Sequence, residues 1–571
     1  MRATVNLFDR AVRLLPAGDA RLELEIELGS VLSSAGDRQR SEKVLGPALE
    51  AALRNGDRRL ELRKRLVGSL SRGGQQSERI AQVAIPVIED LTRRSGNALP
   101  ALDQAIALYE QKGQHRRGGA SAGPAGRVRL VLTPYDPAVQ KYVLSELDSG
   151  EQVISERLPG VRSVALGFWI RAGSRDETEA KAGVSHFIEH MLFKGSRSYS
   201  AQEIAEIFDG FGGELNAATA REYTVVYARV ADHHLEQALD VIGDMVYAPS
   251  FAELDAEREV VLEEIAMYED TPQELVHDLL GEAVFGAHPL GRPVIGRGDV
   301  VSAIGRRTVA SYHRTAYLPG NVVVAAAGSL DHDELLRLLE PCASKREEPP
   351  AQKRRLRRPL VKVPPPGLRF QRKETEQYHV CLGAPGIARS DRRRFAVSLL
   401  DGILGGSASS RLFQEIREKR GMAYAVYTFV SQYTDTGQVG LYVGTRAENL
   451  GACVEIVAEQ LADVSEGNIR TGELERAKEN LKGRMMLALE STSNRMSRLG
   501  KSLVTDTELL SVDRLIAEIE AVEADAVAEL AAVLLAPARL SAAGIGPSEK
   551  RFRDAVARIN PELVRSPAAA A

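Results

Sequence analysis

His186-Phe187-Ile188-Glu189-His190, continued by Met191-Leu192-Phe193-Lys194-Gly195, is the stretch on which the reading of this chain turns. As a helix it sets His186 and His190 one turn apart on one face, with Glu189 beside both imidazoles. Two neutral imidazoles can ligate Zn2+, a third ligand from elsewhere leaves one position open to water, and a carboxylate in reach can take that water's proton. With 10 His in 571 residues, two at this spacing around a Glu argue against coincidence.

A third ligand is offered by Glu257-Arg258-Glu259-Val260-Val261-Leu262-Glu263-Glu264-Ile265. Glu257 and Glu264 lie nearly on one line of a helix. Val260, Val261, Met267 and Tyr268 on the same stripe predict that it faces inward. Carboxylates on an apolar stripe need a partner, because burying an unpaired charge is costly, and a cation supplies one. Glu263, about 100° away, reads as an exposed charge.

At about 150 residues per domain the length predicts three or four domains, and 44% hydrophobic residues suffice for ordinary cores. A net charge of -4 argues against a chain-wide nucleic-acid role. Cys342, Cys381 and Cys453 are few and scattered, which predicts a reducing compartment without a disulfide framework. No run reaches the about 18 apolar residues of a membrane span, so a cytoplasmic protein with no membrane partner is expected.

Residues 1–112 read as helices separated by Gly18-Asp19, Gly36-Asp37 and Gly56-Asp57, resembling tetratricopeptide-like repeats. This all-α segment is either a partner-binding arm or an appendage. Residues 113–139 read as a flexible linker. From Tyr142 strands alternate with helices: strands over 142–147, 152–158 and 164–170, a helix over 201–208, a strand over 223–230 and a helix over 235–247. Domains are expected at 140–342 and 367–560, joined by a basic, Pro-rich linker over 343–366 and followed by a disordered tail over 561–571. Leu318 to Gly328 aligns on Ala536 to Gly546 at an offset of 218, and Val164 to Asp176 resembles His379 to Asp391. Two weakly similar halves imply duplication. Only the first half carries the His pair.

Ala182-Gly183-Val184-Ser185 before the His motif, Gly213-Glu214-Leu215-Asn216-Ala217, the Glu257 to Glu264 helix and His288-Pro289-Leu290-Gly291-Arg292-Pro293 together resemble the pitrilysin-type inverted zincins, whose signature is this His-x-x-Glu-His order. The flanks are similar to the processing-peptidase branch, such as the mitochondrial processing peptidase beta subunit. The resemblance covers roughly residues 140–550. It implies an α/β (α+β) fold of two homologous halves forming a clamshell around an extended or unfolded peptide. It further implies His186, His190 and Glu264 as zinc ligands, Glu189 as general base and Glu257 as a carboxylate that orients a ligand or the base. The segment Gly213 to Ala220 would be the sheet edge that receives substrate, with Asn216 near the scissile bond. Arg417 and Tyr424 would reach across from the second half, to a substrate carbonyl and to the oxyanion. A homodimer is also implied. The contrasting expectation is a non-catalytic scaffolding or regulatory subunit of the same fold, using residues 1–112 to bind a partner. Mn2+ or Co2+ remain alternatives to zinc.

Overall fold

In the computed structural model, residues 142–346 and 364–565 are described. The expected helical repeat, the 113–139 linker and most of the basic linker lie outside them.

The first half builds a six-stranded sheet from β1 (Tyr142–Glu146), β2 (Gln152–Arg157), β3 (Ser163–Ile170), β4 (Glu214–Thr219), β5 (Thr224–Ala231) and β6 (Val322–Gly328), in the order β1-β2-β6-β3-β5-β4. Its helices are α1 (Val184–Leu192), α2 (Ala201–Phe211), α3 (Leu235–Tyr247), α4 (Leu254–Asp270), α5 (Pro272–Phe285), α6 (Gly298–Ala303), α7 (Arg306–Ala316) and α8 (His332–Ala343). The second half builds a five-stranded sheet from β7 (Leu368–Arg372), β8 (Gln377–Gly386), β9 (Ala423–Gln432), β10 (Gly437–Arg446) and β11 (Ser541–Gly546), in the order β7-β11-β8-β10-β9. Its helices are α9 (Arg394–Leu404), α10 (Leu450–Ser465), α11 (Thr471–Ala488), α12 (Thr492–Val504), α13 (Val512–Glu520), α14 (Ala524–Leu534), α15 (Glu549–Val556) and α16 (Pro561–Arg565).

The two sheets correspond strand for strand, apart from the extra β1. β6 runs parallel to β2 and antiparallel to β3; β11 runs parallel to β7 and antiparallel to β8. The sequence offset of 218 therefore maps one central strand onto the other.

β3 reads Ser-Val-Ala-Leu-Gly-Phe-Trp-Ile and is buried on both faces, the pattern of a strand covered from two sides. Val164, Leu166, Phe168 and Ile170 face the helices of their own half, where Phe187, Ile188 and Met191 of α1 complete the core. Ala165 and Trp169 face the other way, onto Met496 and Leu499 of α12. Trp169 fits because position 500 is glycine: a Cβ there would stand 2.1 Å from the indole nitrogen. The exchange is reciprocal. Val276, Leu280 and Val284 of α5 cover Cys381, Tyr442 and Ile545 of the second sheet. Each half thus covers its partner's sheet, and α4 continues through Thr271-Pro272 into the helix that locks the halves together. Proline suits that first helical position, where no N–H is needed.

A buried ion-pair cluster adds to this junction. Glu222, in the β4–β5 turn, accepts from Arg175 Nη1 at 2.8 Å and from Thr434 N at 3.1 Å. Arg389 approaches it at 3.4 Å, and Asp435 pairs with Arg175 at 2.8 Å. Thr434 and Asp435 form the β9–β10 turn, so equivalent hairpins of the two halves meet.

Two expectations change here. Residues 561–565, assigned to the tail, form α16 with Leu563 buried, because an apolar side chain finds a place in the second core. Lys345 and Arg346, assigned to a solvated linker, are anchored: Lys345 Nζ binds Asp240 at 2.6 Å, and Arg346 pairs with buried Glu151 and lies over the Tyr247 ring. The buried carboxylates of Asp244, 3.4 Å from Lys345 Nζ, and Glu151 required cations, and these two were in reach.

Candidate metal centre and edge strand

α1 begins at Gly183, whose φ of 95° and contact with Ile295 O leave no room for a Cβ. No side chain at that position caps the helix. The buried Glu177 carboxylate takes the role, accepting from Gly183 N at 2.8 Å and Ser185 N at 2.7 Å, which satisfies amides orphaned at a helix start. Burial pushes Glu177 up to about 7, against these hydrogen bonds. Arg292, in the His288 to Pro293 turn, donates to Glu177 O and ties that turn to the same loop.

With Phe187, Ile188, Met191 and Leu192 in the core, periodicity leaves His186, Glu189 and His190 half-buried on the open face. The His186 and His190 rings lie 4.7 Å apart. Across from them, Glu264 Oε2 stands 3.7 Å from His186 Nε2 and 3.3 Å from His190 Nε2. The three can each offer one ligand atom within 4.8 Å of the others. Glu257, about two turns earlier on α4, goes elsewhere: its Oε1 accepts from His190 Nδ1 at 2.8 Å, and its Oε2 pairs with Lys194 at 2.8 Å. With Nδ1 bonded to a carboxylate, His190 presents the Nε2 lone pair to the cluster. Burial, then the neighbouring His190, pushes His186 down to about 4, so it is neutral and able to ligate. The donor set, two imidazole nitrogens and a carboxylate oxygen, suits a tetrahedral zinc ion with one open position.

Glu189 is half-buried beside this cluster, and burial raises its pKa. Thr219 Oγ1 donates to its Oε2 at 2.5 Å. Thr219 ends β4, which among the described residues is an edge strand pairing with β5 alone. Sequence reading missed Thr219, Lys194 and Glu177; a strand-end threonine and a loop glutamate carry no local mark of a partner 30 or 6 residues away.

The stripe predicted to face inward on α4 is narrower than expected. Leu254, Glu257, Val261 and Ile265 are buried, whereas Val260, Met267 and Tyr268 are exposed, Met267 by 69%. Val260 and Met267 lie about 100–120° round the helix from Val261, beyond the strip the core covers, and Tyr268 stands in the last turn. Asn216 is exposed on the face of β4 opposite Thr219, its Oδ1 accepting from Ala217 N. Arg417, in a π-helical turn (Phe413–Glu418), stacks on Phe413 and Tyr424 at 4.7 Å and donates to Tyr424 O. Tyr424 is 78% exposed at the start of β9, the counterpart of β4. Among the described residues, the contacts of Arg417 and Tyr424 stay within the second half and do not reach His186, His190 or Glu264.

These features define a two-half α/β protein with a His-His-Glu cluster fit to hold a metal in its first half and a half-buried carboxylate beside it. Residues 152–298 match the insulinase (peptidase family M16) model, and residues 303–481 match the peptidase M16 inactive domain model. Uncharacterized zinc proteases of Streptomyces coelicolor and Bacillus subtilis are similar to this chain. The first is 42% identical over 429 residues, covering 72% of this chain and 92% of that relative; the second is 41% identical over 415 residues, covering 70% and 98%. A protease from Helicobacter pylori has the same fold, with a TM-score of 0.67 at 22% identity over 72% of this chain and 100% of that one. The chain belongs to peptidase family M16, the insulinase family. No described helix is long and apolar enough to cross a membrane.

Proposed function

We propose that this protein is a zinc endopeptidase that cuts extended or unfolded peptides, with His186, His190 and Glu264 holding the metal and Glu189 as the base. The observation that carries this reading is the convergence of both Nε2 atoms and Glu264 Oε2 beside a partly buried Glu189 that is hydrogen-bonded to the open edge strand. The chemistry zinc supplies when bound is Lewis acidity, toward a carbonyl and toward water. Glu189 takes the proton of the attacking water and delivers it to the leaving amine; its raised proton affinity suits both transfers. Thr219 holds the carboxylate in position. A substrate strand adds to the free edge of β4, so that main-chain hydrogen bonds align the scissile bond whatever its side chains. Glu257 fixes the His190 ring.

In the same reading, Arg417 and Tyr424 act on the substrate from the second half, the former at a carbonyl and the latter at the oxyanion, with Asn216 beside the cut bond. Substrate handling of the processing-peptidase kind, a homodimer and a cytoplasmic location belong to it as well. The three cysteines are free and buried, as a reducing compartment permits.

Cleavage of a quenched-fluorescent unstructured peptide by wild type and Glu189→Gln, with zinc content measured on both, tests the proposal. Cutting by the wild type alone, with equal zinc, supports it. Equal zinc without cutting by either favours a scaffolding role, and absence of zinc from both overturns the ligand assignment.

A further inference from the structure

A second site is built into the first half. A cavity of about 400 Å³ lies among the loop after α3, one side of α7 and the chain beyond α8. Four arginines line it, Arg197, Arg306, Arg314 and Arg346, and no carboxylate stands among its described lining residues. Tyr247 and Phe251 form an apolar floor.

The charge is partly answered: Arg197 donates to Lys345 O and has a further partner. Arg346 is paired with Glu151 and lies 4.2 Å over Tyr247. Arg306 donates to Ser250 O at 2.9 Å, a neutral acceptor. Arg314 has no hydrogen bond or ion pair among the described residues. His313, beside it, is half-buried and bonded to Val246 O. Arg197, Arg306 and Arg314 are exposed, so water screens their repulsion, and an anion among the guanidinium groups would offset what remains. The loop that forms the floor is also strained: Phe251 holds a φ of 49° and Glu253 one of 53°, conformations that side-chain-bearing residues adopt at a cost.

A volume of this size fits a small molecule. Planar guanidinium forks match phosphate oxygens two at a time. We propose that this cavity binds a dianionic phosphate group, free or carried on a small ester.

Calorimetric titration of the zinc-loaded full chain with inorganic phosphate and with adenosine 5′-monophosphate, at constant ionic strength, tests this. Saturable binding of at least one probe is expected. It should weaken about 10-fold or more in Arg314→Ala and in Arg306→Lys, the second keeping the charge and losing the fork. Tighter binding of the ester assigns an organic phosphate, and equal binding assigns phosphate itself. Removing the metal should leave the affinity unchanged. No saturable binding of either probe overturns the proposal, as does equal binding in variants whose thermal midpoints match wild type, or binding that disappears with the metal.

Discussion

His190 and Glu257 are joined by a 2.8 Å hydrogen bond through Nδ1, while Glu264, on the same helix, stands 3.3 Å from Nε2 of that ring. Two glutamates seven residues apart therefore address the two nitrogens of one imidazole. The first orients the ring, and the second completes the donor set.

Glu257→Gln should consequently weaken metal binding by about 10-fold or more without removing a ligand. Competition with a chromophoric chelator measures it. An unchanged affinity would mean that Glu257 only neutralises Lys194.

Thr219→Val keeps the shape of the edge strand and removes the hydroxyl bonded to Glu189. A hydrogen bond to a charged group is worth about 1.5–3 kcal/mol, so peptide cleavage should fall roughly 10- to 100-fold. Zinc content should stay equal to that of the wild type; loss of zinc would give Thr219 a different role.

Glu177 carries a pH signature. Its folded pKa of about 7 lies above the ordinary carboxylate value of 4.5. The folded state thus binds this proton more tightly than the unfolded chain. The stabilisation is fully present below about 4.5 and is lost as pH rises through about 7. The stability of wild type relative to Glu177→Gln should decline from about pH 5 to about pH 8, read from urea midpoints. A difference that is flat with pH would contradict the assignment.

Glu222→Ala removes the carboxylate at the centre of the junction between halves, where Arg175 and Glu222 side chains are 4% and 1% exposed. Breaking a buried pair by removing one partner costs about 3–5 kcal/mol. A fall of that order in unfolding free energy is expected, and a change below about 1 kcal/mol would place the strength of the junction in the exchanged helices instead.

Much of this was legible in local pattern. Strands over Tyr142–Glu146, Gln152–Arg157 and Ser163–Ile170 and the helix Leu235–Tyr247 fall where apolar periodicity predicted them, because alternation and 3.6-residue spacing report which face is covered. The same logic overextended α4. Spacing marks a stripe of Val260, Met267 and Tyr268, but only the packing neighbours decide how wide a stripe is buried.

What the sequence determined by itself was chemistry within reach of one helical turn, the pairing of His186 with His190 and the adjacency of Glu189, together with a duplicated α/β plan carried by the 218-residue offset. Local geometry suffices for these, since i to i+4 neighbours meet in any helix. Only the tertiary structure decided which oxygen meets which nitrogen between α1 and α4, that Thr219 holds Glu189, that α5 and α12 exchange sheets, and that Glu222 meets Thr434. Those contacts join residues separated by 30 to more than 200 positions. Their distances follow from how buried faces pack, which no local spacing encodes.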